Sequence, residues 1–409
     1  MKILMLAQFY PPVIGGEERH VRTLSRSLAA RGHEVHVATM TGAVPGPVPV
    51  SDPGVVLHSV PGLGGKVPAL YREADRPLAL PVPDPVTMKP LSDVIRQVDP
   101  DVVHAHNWMV FSYLALPDSA RRPLVLTMHD YGAVCATKRL MRADQPCPGP
   151  SAADCLPCAG RHYGRIKGAG IVGALGASRA LLTRRVDRVL AVSSVVKQRG
   201  WAGDPQDVQV VPNFIPDELL DAPVMGRDPE LPDGDYLLFV GDLSAEKGLL
   251  SLLTAYESLP SERPSLVLIG RPTKDLPARL PDGVHLHRGW EHERVVSAFQ
   301  HSLGAVLPSE WHDPCPTTVL EAMALGTPLV TTLMGGIADM VTDERSALVV
   351  PPGSPGDLAV ALARLIADEE LRARLRVGAR ADVVGFTASS VVDRVQSVYD
   401  DLLATVGSR

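Results

Sequence analysis

Short apolar runs alternate with helical patterns from the start of the chain. Residues 2–8 (KILMLAQ) are mostly apolar and predict a buried strand, and the loop after them, FYPPVIGG, is rich in residues that break regular structure. Val21, Leu24 and Leu28 then recur at helical spacing until a glycine ends the helix, and a second strand, EVHVATM, follows. A strand, a helix and a strand in this order predict a βαβ unit and a parallel sheet.

The same alternation fills the rest of the chain. Further strands of the first half are expected at 55–60, 101–106, 124–130 and 188–193. A new cycle starts at DYLLFVGDLSAEKG, and its later strands are expected at 265–270, 284–289, 304–309, 328–332 and 347–352. The pattern predicts an α/β protein with two Rossmann-like domains that face each other across a cleft. Their expected bounds are 1–213 and 214–388, and an amphipathic helix over 389–409 is expected to pack back on the first domain.

Two segments depart from this regular pattern. Residues 41–90 are rich in proline and glycine and predict a long mobile loop facing the cleft, apart from the strand at 55–60. Residues 161–188 are basic and partly apolar, but four glycines between 168 and 176 weaken a long helix there. A solvated face is therefore favoured, with at most peripheral membrane contact.

Composition narrows the class of protein. A chain of 409 residues with 45% hydrophobic and 21% charged residues is typical of a globular protein with two cores. The formal net charge of -6 argues against nucleic-acid binding, which needs a basic face. There is no run of about 18 apolar residues, and the first residues resemble a strand more than a signal peptide, so a cytoplasmic protein is expected.

Four of the five cysteines are clustered: Cys135, Cys147, Cys155 and Cys158. The last two form C-L-P-C, a spacing that lets two thiolates share one metal ion, and tetrahedral zinc takes four such ligands. The other gaps match no common zinc module. Two interpretations therefore stay open, a structural zinc site and thiols in a loop.

The segment WHDPCPTTVLEAMALGTP, residues 311–328, contains the most informative pattern. Prolines and threonines precede an apolar helix that ends at Gly326, and Asp313 and Glu321 lie before and within it. The start of such a helix presents unpaired N–H groups and a positive dipole end to the loop beside Asp313. This arrangement indicates an anion-binding site.

Several motifs in order along the whole chain resemble those of family 4 glycosyltransferases, a retaining group with the GT-B fold that uses sugar nucleotides. The motifs are FYPPVIGGEERHV, AARGHEVHV, DVVHAHNW, TMHD, VPNFI, FVGDLSAEKG and DPCPTTVLEAMALGTP. The resemblance implies that the first domain binds mainly the acceptor and the second binds the nucleotide sugar.

The resemblance also assigns residues to the donor. Glu321 is expected to bind the ribose hydroxyls, Asp313 a sugar hydroxyl and Lys247 the diphosphate, with Thr317 and Thr318 adding to phosphate binding. Asp313 stands where the family usually has glutamate. Asp242 replaces the usual arginine, so either another cation such as Arg271 or Arg288 assists Lys247, or Asp242 faces away.

In the first domain the resemblance matches Gly16 to a glycine that lets backbone approach the donor, and His129 to a histidine that contacts the donor sugar. His104, His106 and Asn107 are candidates for the acceptor side. Glu17 lies where a cationic acceptor is expected, although an acid in the first turn also stabilises the helix by itself. Each histidine also has a structural alternative, in which backbone or core groups satisfy the ring.

The predicted activity is that of a retaining, metal-independent hexosyltransferase. It would move a hexose or amino-hexose from a UDP-sugar, favoured over a GDP-sugar, to a hydroxyl of a small-molecule, lipid or saccharide acceptor. No cofactor is expected in catalysis. The alternatives are a sugar-nucleotide 2-epimerase of the same fold and a non-catalytic sugar-nucleotide-binding protein.

Overall fold

A computed structural model describes residues 1–11, 15–40, 51–63, 79–142 and 145–407. The chain forms two compact units. The first contains Met1–Asn213 together with Ala388–Arg409, and the second contains Phe214–Thr387.

A seven-stranded parallel sheet forms the centre of the first unit, in the order β3-β2-β1-β4-β5-β8-β9. Its central strands are buried on both faces and mostly apolar, as a parallel sheet covered by helices requires. The strands are β1 (Lys2–Ala7), β2 (Glu34–Met40), β3 (Val55–Val60), β4 (Val102–Ala105), β5 (Leu124–Met128), β8 (Arg188–Ala191) and β9 (Val208–Val210), and a separate antiparallel pair joins β6 (Met141–Arg142) to β7 (Gln145–Pro146).

Helices cover this sheet and one of them comes from the end of the chain. They are α1 (Gly16–Ala30), α2 (Pro85–Val98), α3 (Val110–Leu114), α4 (Ala152–Tyr163), α5 (Arg165–Arg185), α6 (Ser194–Gly200) and the terminal α12 (Ala388–Gly407). Arg31, just after α1, donates to Asp393 of α12 at 2.6 Å, and Tyr399 of α12 is fully buried. The terminal helix therefore belongs to the core of the first unit.

Glycines were expected to weaken a long helix in the basic segment, yet α5 runs unbroken over 21 residues. The reason lies in its packing against α4. A Cβ atom at Gly168 would lie only 2.5 Å from the backbone carbon of Ala159. The glycine permits a close helix pair, and this packing outweighs its low helix propensity.

The second unit contains a six-stranded parallel sheet in the order β12-β11-β10-β13-β14-β15. Its strands are β10 (Tyr236–Val240), β11 (Ser265–Ile269), β12 (Val284–His287), β13 (Gly304–Leu307), β14 (Leu329–Thr331) and β15 (Leu348–Val349). Its helices are α7 (Leu249–Glu257), α8 (His292–His301), α9 (Thr317–Ala324), α10 (Pro355–Ala367) and α11 (Glu369–Asp382). The predicted α/β class with two Rossmann-like parallel sheets is confirmed.

Strand β3 lies where the sequence predicts it, at 55–60. The loop predicted over 41–90 is wrong at its end, because α2 begins inside it at Pro85, where Asp84 accepts a hydrogen bond from the Val86 N–H as an N-cap. Residues 41–50 and 64–78 lie outside the described residues. Across the described ranges, we find no helix with the length and apolar character needed to cross a membrane.

The strand order of each sheet reverses beside its first strand. This topological switch point lies between β1 and β4 in one unit and between β10 and β13 in the other. Ligands of open α/β sheets usually bind at the carboxyl ends of the strands at this point. Predicted site residues follow each of these four strands: Gly16 follows β1, His106 follows β4, Lys247 follows β10 and Asp313 follows β13. His104 lies within β4 itself, and His129 follows β5.

Candidate functional site

Lys247 and Asp313 come together at the carboxyl ends of β10 and β13. Lys247 ends a 3-10 turn, Ala245–Lys247, and Asp313 lies in the segment after β13. The Lys247 ammonium donates to the Asp313 carboxylate, and the lysine side chain is 28% exposed while that of Asp313 is 8% exposed. A cavity lined by both residues, with Ser309, Pro316 and Thr318, opens beside them. The structure therefore brings together the two residues predicted for the diphosphate and the sugar.

The backbone of Asp313 is tightly held by the segment Gly335–Asp339. The Gly336 N–H donates to the Asp313 carbonyl at 2.7 Å. Gly335 has a φ of +67°, and a Cβ atom there would lie 2.2 Å from the Asp313 carbonyl oxygen. Only glycine fits this contact, and the contact determines where the Asp313 side chain begins.

Glu321 lies on α9 and is buried, at 4% exposure. Its Oε1 atom is 3.2 Å from Nε2 of His292, the first residue of α8. A buried carboxylate on an apolar helix needs such a partner. The sequence motifs did not point to His292, although the EHE segment at the start of α8 contains it.

The start of α9 presents hydroxyl and N–H groups. Helix α9 begins at Thr317, preceded by Pro316 as its N-cap residue, and no side chain caps it. Thr318 lines the cavity beside Lys247 and Asp313. The first N–H groups of a helix have no partner within the helix, so this end suits an anion.

Asp242 is paired with Arg271 on the surface of the second unit. The guanidinium donates from Nη2 to Oδ2 at 2.9 Å and from Nε to Oδ1 at 3.2 Å, and both side chains are about half exposed. Arg271 therefore neutralises the acid that stands in the place of the family arginine.

In the first unit, Gly16 begins α1 just after Gly15. A Cβ atom at Gly15 would lie 2.2 Å from a carboxylate oxygen of Glu18, whereas one at Gly16 would meet no described residue within 4 Å. The role of Gly16 at the donor stays a prediction.

Glu17 accepts a hydrogen bond from the side-chain amide of Asn107. Burial, and then repulsion from the Glu18 carboxylate, raise the pKa of Glu17 to about 8, against the opposing effect of Lys138. The Lys138 ammonium lies 3.6 Å from Asp130 and 4.3 Å from the ring centre of Trp108. Lys138, Asp130 and Trp108 line a cavity together with Asn107, His106 and His129. Glu17 is joined to this cavity through Asn107, so the predicted acceptor residues Glu17, Asn107 and His106 lie near one another.

His106 and His129 are hydrogen-bonded to each other through Nδ1 and Nε2 at 3.0 Å. The ring of His20, on α1, contacts both. Burial lowers the pKa of His129 to about 4 and holds the pKa of His106 well below its ordinary value. The rings are therefore neutral near pH 7. His20 was not predicted from the sequence, although it lies one helical turn after the Gly15–Gly16 pair.

His104 has a structural role, and its assignment to the acceptor side is corrected. It is 1% exposed, with Nδ1 at 2.6 Å from the Tyr399 hydroxyl and Nε2 at 2.7 Å from the Thr127 hydroxyl. Both ring nitrogens are satisfied inside the unit, where His104 joins α12 to the sheet. Its side chain has no atom left for an acceptor.

The cysteines lie on several elements rather than in one loop. Cys155 and Cys158 are on α4, Cys147 follows β7, and Cys135 lies after β5. Within the described part of the chain, no three of these sulfur atoms lie within 4.8 Å of one another. Tetrahedral zinc needs sulfur atoms roughly 4 Å apart, so binding would require them to move closer. The zinc site stays a prediction.

Both halves of the chain match known protein families. Residues 14–219 match the model described as Glycosyltransferase Family 4, and residues 227–382 match the model described as Glycosyl transferases group 1. A D-inositol 3-phosphate glycosyltransferase of Xylanimonas cellulosilytica is 31% identical, over 90% of this chain and 87% of that protein. A glycogen synthase of Mycobacterium tuberculosis is 29% identical, over 100% of this chain and 96% of that protein.

The fold resembles solved structures over nearly its full length. Sucrose-phosphate synthase from Thermosynechococcus elongatus has a TM-score of 0.74 at 19% identity, with 99% of each chain covered. The Anabaena protein HepE, solved in complex with UDP-glucose, has a TM-score of 0.68 at 16% identity, covering 98% of this chain and 100% of that chain. These likenesses show the fold.

Proposed function

The chain belongs to the family 4 glycosyltransferases and has the GT-B fold, and from this premise we propose that it transfers a hexose or amino-hexose from a UDP- or GDP-sugar to an acceptor hydroxyl with retention of configuration. The acceptor is a small molecule, a lipid or a saccharide. The observation that carries the proposal is the meeting of Lys247 and Asp313 beside the start of α9.

In this proposal the second unit binds the donor. The Lys247 ammonium and the groups of Thr317 and Thr318 at the start of α9 stabilise the diphosphate. Asp313 accepts a hydrogen bond from a sugar hydroxyl, and Glu321 accepts hydrogen bonds from the ribose. UDP is favoured as the nucleotide because HepE, similar in fold, was solved with UDP-glucose. Lys247 must release Asp313 in part when the diphosphate arrives.

The chemical step breaks the bond between the anomeric carbon and the diphosphate oxygen and forms a bond from that carbon to the acceptor oxygen. The acceptor attacks the face that the diphosphate leaves, and its hydroxyl proton passes to the departing phosphate. Negative charge grows on the phosphate during this step, so the fixed cation and N–H groups lower the barrier. The two acids bind the donor here, and neither acts as a nucleophile.

We assign Gly16 and His129 of the first unit to the donor sugar, and His106, Asn107 and Glu17 to the acceptor. The cavity lined by His106, Asn107 and His129 supports this assignment. No metal ion is needed, because Lys247 and the start of α9 supply the positive charge that the leaving diphosphate requires.

The experiment is incubation with a panel of UDP- and GDP-sugars in the presence of EDTA, followed by NMR. Slow release of sugar without acceptor, with the α-anomer formed first from an α-linked donor, supports a retaining transferase. A product epimerised at C2 would support the 2-epimerase instead. Protection by one nucleotide in thermal unfolding identifies the base, because a ligand at 100 times its Kd adds about 2.7 kcal/mol of stability.

A further inference from the structure

Three histidines from three separate elements of the first unit point their ring nitrogens at one another. His20 lies on α1, His106 follows β4 and His129 follows β5, and β4 and β5 are neighbours in the sheet. One nitrogen from each ring can be chosen so that all three lie within 4.8 Å of one another. Three imidazoles are the protein ligands of several zinc sites, which leave a fourth position open.

The spacing of the rings fits a shared ion. For three imidazoles bound to tetrahedral zinc through bonds of about 2.0–2.1 Å, the ring centres are expected about 5 Å apart. The observed distances are 4.6 Å from His20 to His129, 5.3 Å from His106 to His129 and 5.7 Å from His20 to His106. Small side-chain rotations would equalise them.

The chemical state of the rings also favours a metal. Metal ions bind the neutral imidazole, and burial lowers the pKa of all three residues. His106 is 1% exposed, and its Nε2 atom has no hydrogen-bond partner among the described residues. A buried ring nitrogen without a partner raises the free energy of the folded state, and an ion bound to that nitrogen would remove this cost.

Carboxylates lie near the cluster. Asp130 adjoins His129 and acts on its ring, and the Glu18 and Asp130 carboxylates both act on Glu17, while Lys138 is a cation that acts on Glu17 and on His129. Surplus carboxylates lower the cost of burying a divalent cation. We propose that His20, His106 and His129 bind one divalent transition-metal ion of the zinc type, separate from the cysteine cluster.

A consequence rests on the proposed function, in which His129 contacts the donor sugar. A ring that holds a metal ion is not able to make that contact, so the bound ion inhibits transfer and a chelator restores it. The binding itself is independent of any activity.

The test uses the full chain without a histidine tag, stripped of metal and titrated with Zn²⁺ by calorimetry and with Co²⁺ by visible absorption. One ion per chain is expected, with the absorption of tetrahedral Co²⁺ bound to nitrogen. His20→Gln and His106→Gln should each weaken binding at least about 10-fold. A circular dichroism spectrum establishes that each variant is folded, and either variant alone is sufficient for the comparison.

The matched control is His36→Gln. His36 and His58 form a second stacked pair, with nitrogens 2.9 Å apart and ring centres 5.1 Å apart, which closely repeats the His106–His129 pair without His20. This variant should bind metal as the parent does. A Cys155→Ser, Cys158→Ser variant should also keep the site.

Three results would overturn the proposal. They are the absence of saturable binding, equal binding by the parent and both cluster variants, and loss of the ion in the double cysteine variant alone. None of these depends on sugar transfer, so failure of the metal site and failure of the proposed transferase activity are observed separately.

Discussion

The ammonium group of Lys247 is paired with the carboxylate of Asp313, although the two residues lie 66 positions apart in the chain. Each was predicted to bind a different part of one donor molecule, and in the structure each is the other's partner. The pair holds both charges in place before any ligand arrives. Preorganisation of this kind keeps the cation close to where phosphate charge develops.

The first prediction concerns the cation. Lys247→Gln should lower kcat/KM for transfer roughly 100-fold or more, because it removes the fixed charge opposite the leaving diphosphate. Lys274→Gln is the control, since Lys274 is an exposed lysine of the same unit. Steady-state kinetics with varied donor at saturating acceptor give kcat/KM for the nucleotide sugar. Equal kcat/KM for the two variants would show that Lys247 does not serve the leaving group.

The second prediction concerns the buried acid of α9. Glu321→Gln should weaken nucleotide binding about 10-fold or more, because a neutral amide is a poorer acceptor for two ribose hydroxyls than a carboxylate. Glu293→Gln, an exposed acid at the start of α8, should leave the affinity unchanged. Calorimetric titration with UDP and with UDP lacking both ribose hydroxyls distinguishes a direct contact of Glu321 with the ribose from an effect of Glu321 on the fold. If Glu321→Gln weakens both ligands equally, Glu321 acts on the fold rather than on the ribose.

The third prediction concerns the position of Asp313, which a change at Gly335 should alter while the carboxylate itself is kept. Gly335→Ala should displace the Asp313 backbone, because the added methyl group meets the Asp313 carbonyl. Donor affinity should fall while the fold persists. Gly289→Ala is a close control. Gly289 has a φ of +65°, and an added Cβ atom would meet no described residue within 4 Å. This variant is therefore destabilised only by left-handed backbone strain, about 1–2 kcal/mol.

The comparison is made at a temperature where circular dichroism shows both glycine variants to be folded. Equal loss of donor affinity in the two would mean that backbone strain in general, rather than the contact with Asp313, is responsible.

Local patterns predicted the strands and the apolar body of α9, because their periods depend on nearby residues alone. Long-range partners left no such signal. The pairing of Asp242 with Arg271 was open in the sequence, since nothing local selects Arg271 over Arg288. The interior position of His104 depends on Tyr399, which is 295 residues away. The position of Lys138 beside the cavity was also not predicted. Its φ of +63° places it in a tight turn, and no glycine at that position marks the turn in the sequence.

The fourth prediction follows from the raised pKa of Glu17, about 8 in the folded chain against an ordinary value of 4.5. The folded chain holds this proton more tightly than the unfolded chain does. The resulting stability is therefore fully present below about pH 4.5 and is lost as the pH rises through about 8. Glu17→Gln mimics the protonated form, so its stability should match that of the parent below about pH 4.5 and exceed it increasingly toward pH 9.

The expected difference in the free energy of unfolding is about 1–2 kcal/mol, after allowing for the partial exposure of Glu17 to solvent. Urea unfolding at a series of pH values measures it. Glu262→Gln, an exposed acid of the other unit, is the control and should run parallel to the parent. The buried histidines lower the stability of parent and variant alike in acid, so the difference between the two curves isolates the carboxyl. A Glu17→Gln curve parallel to the parent from pH 5 to pH 9 would mean that Glu17 ionises normally, with its charge relieved by Asn107 and Lys138.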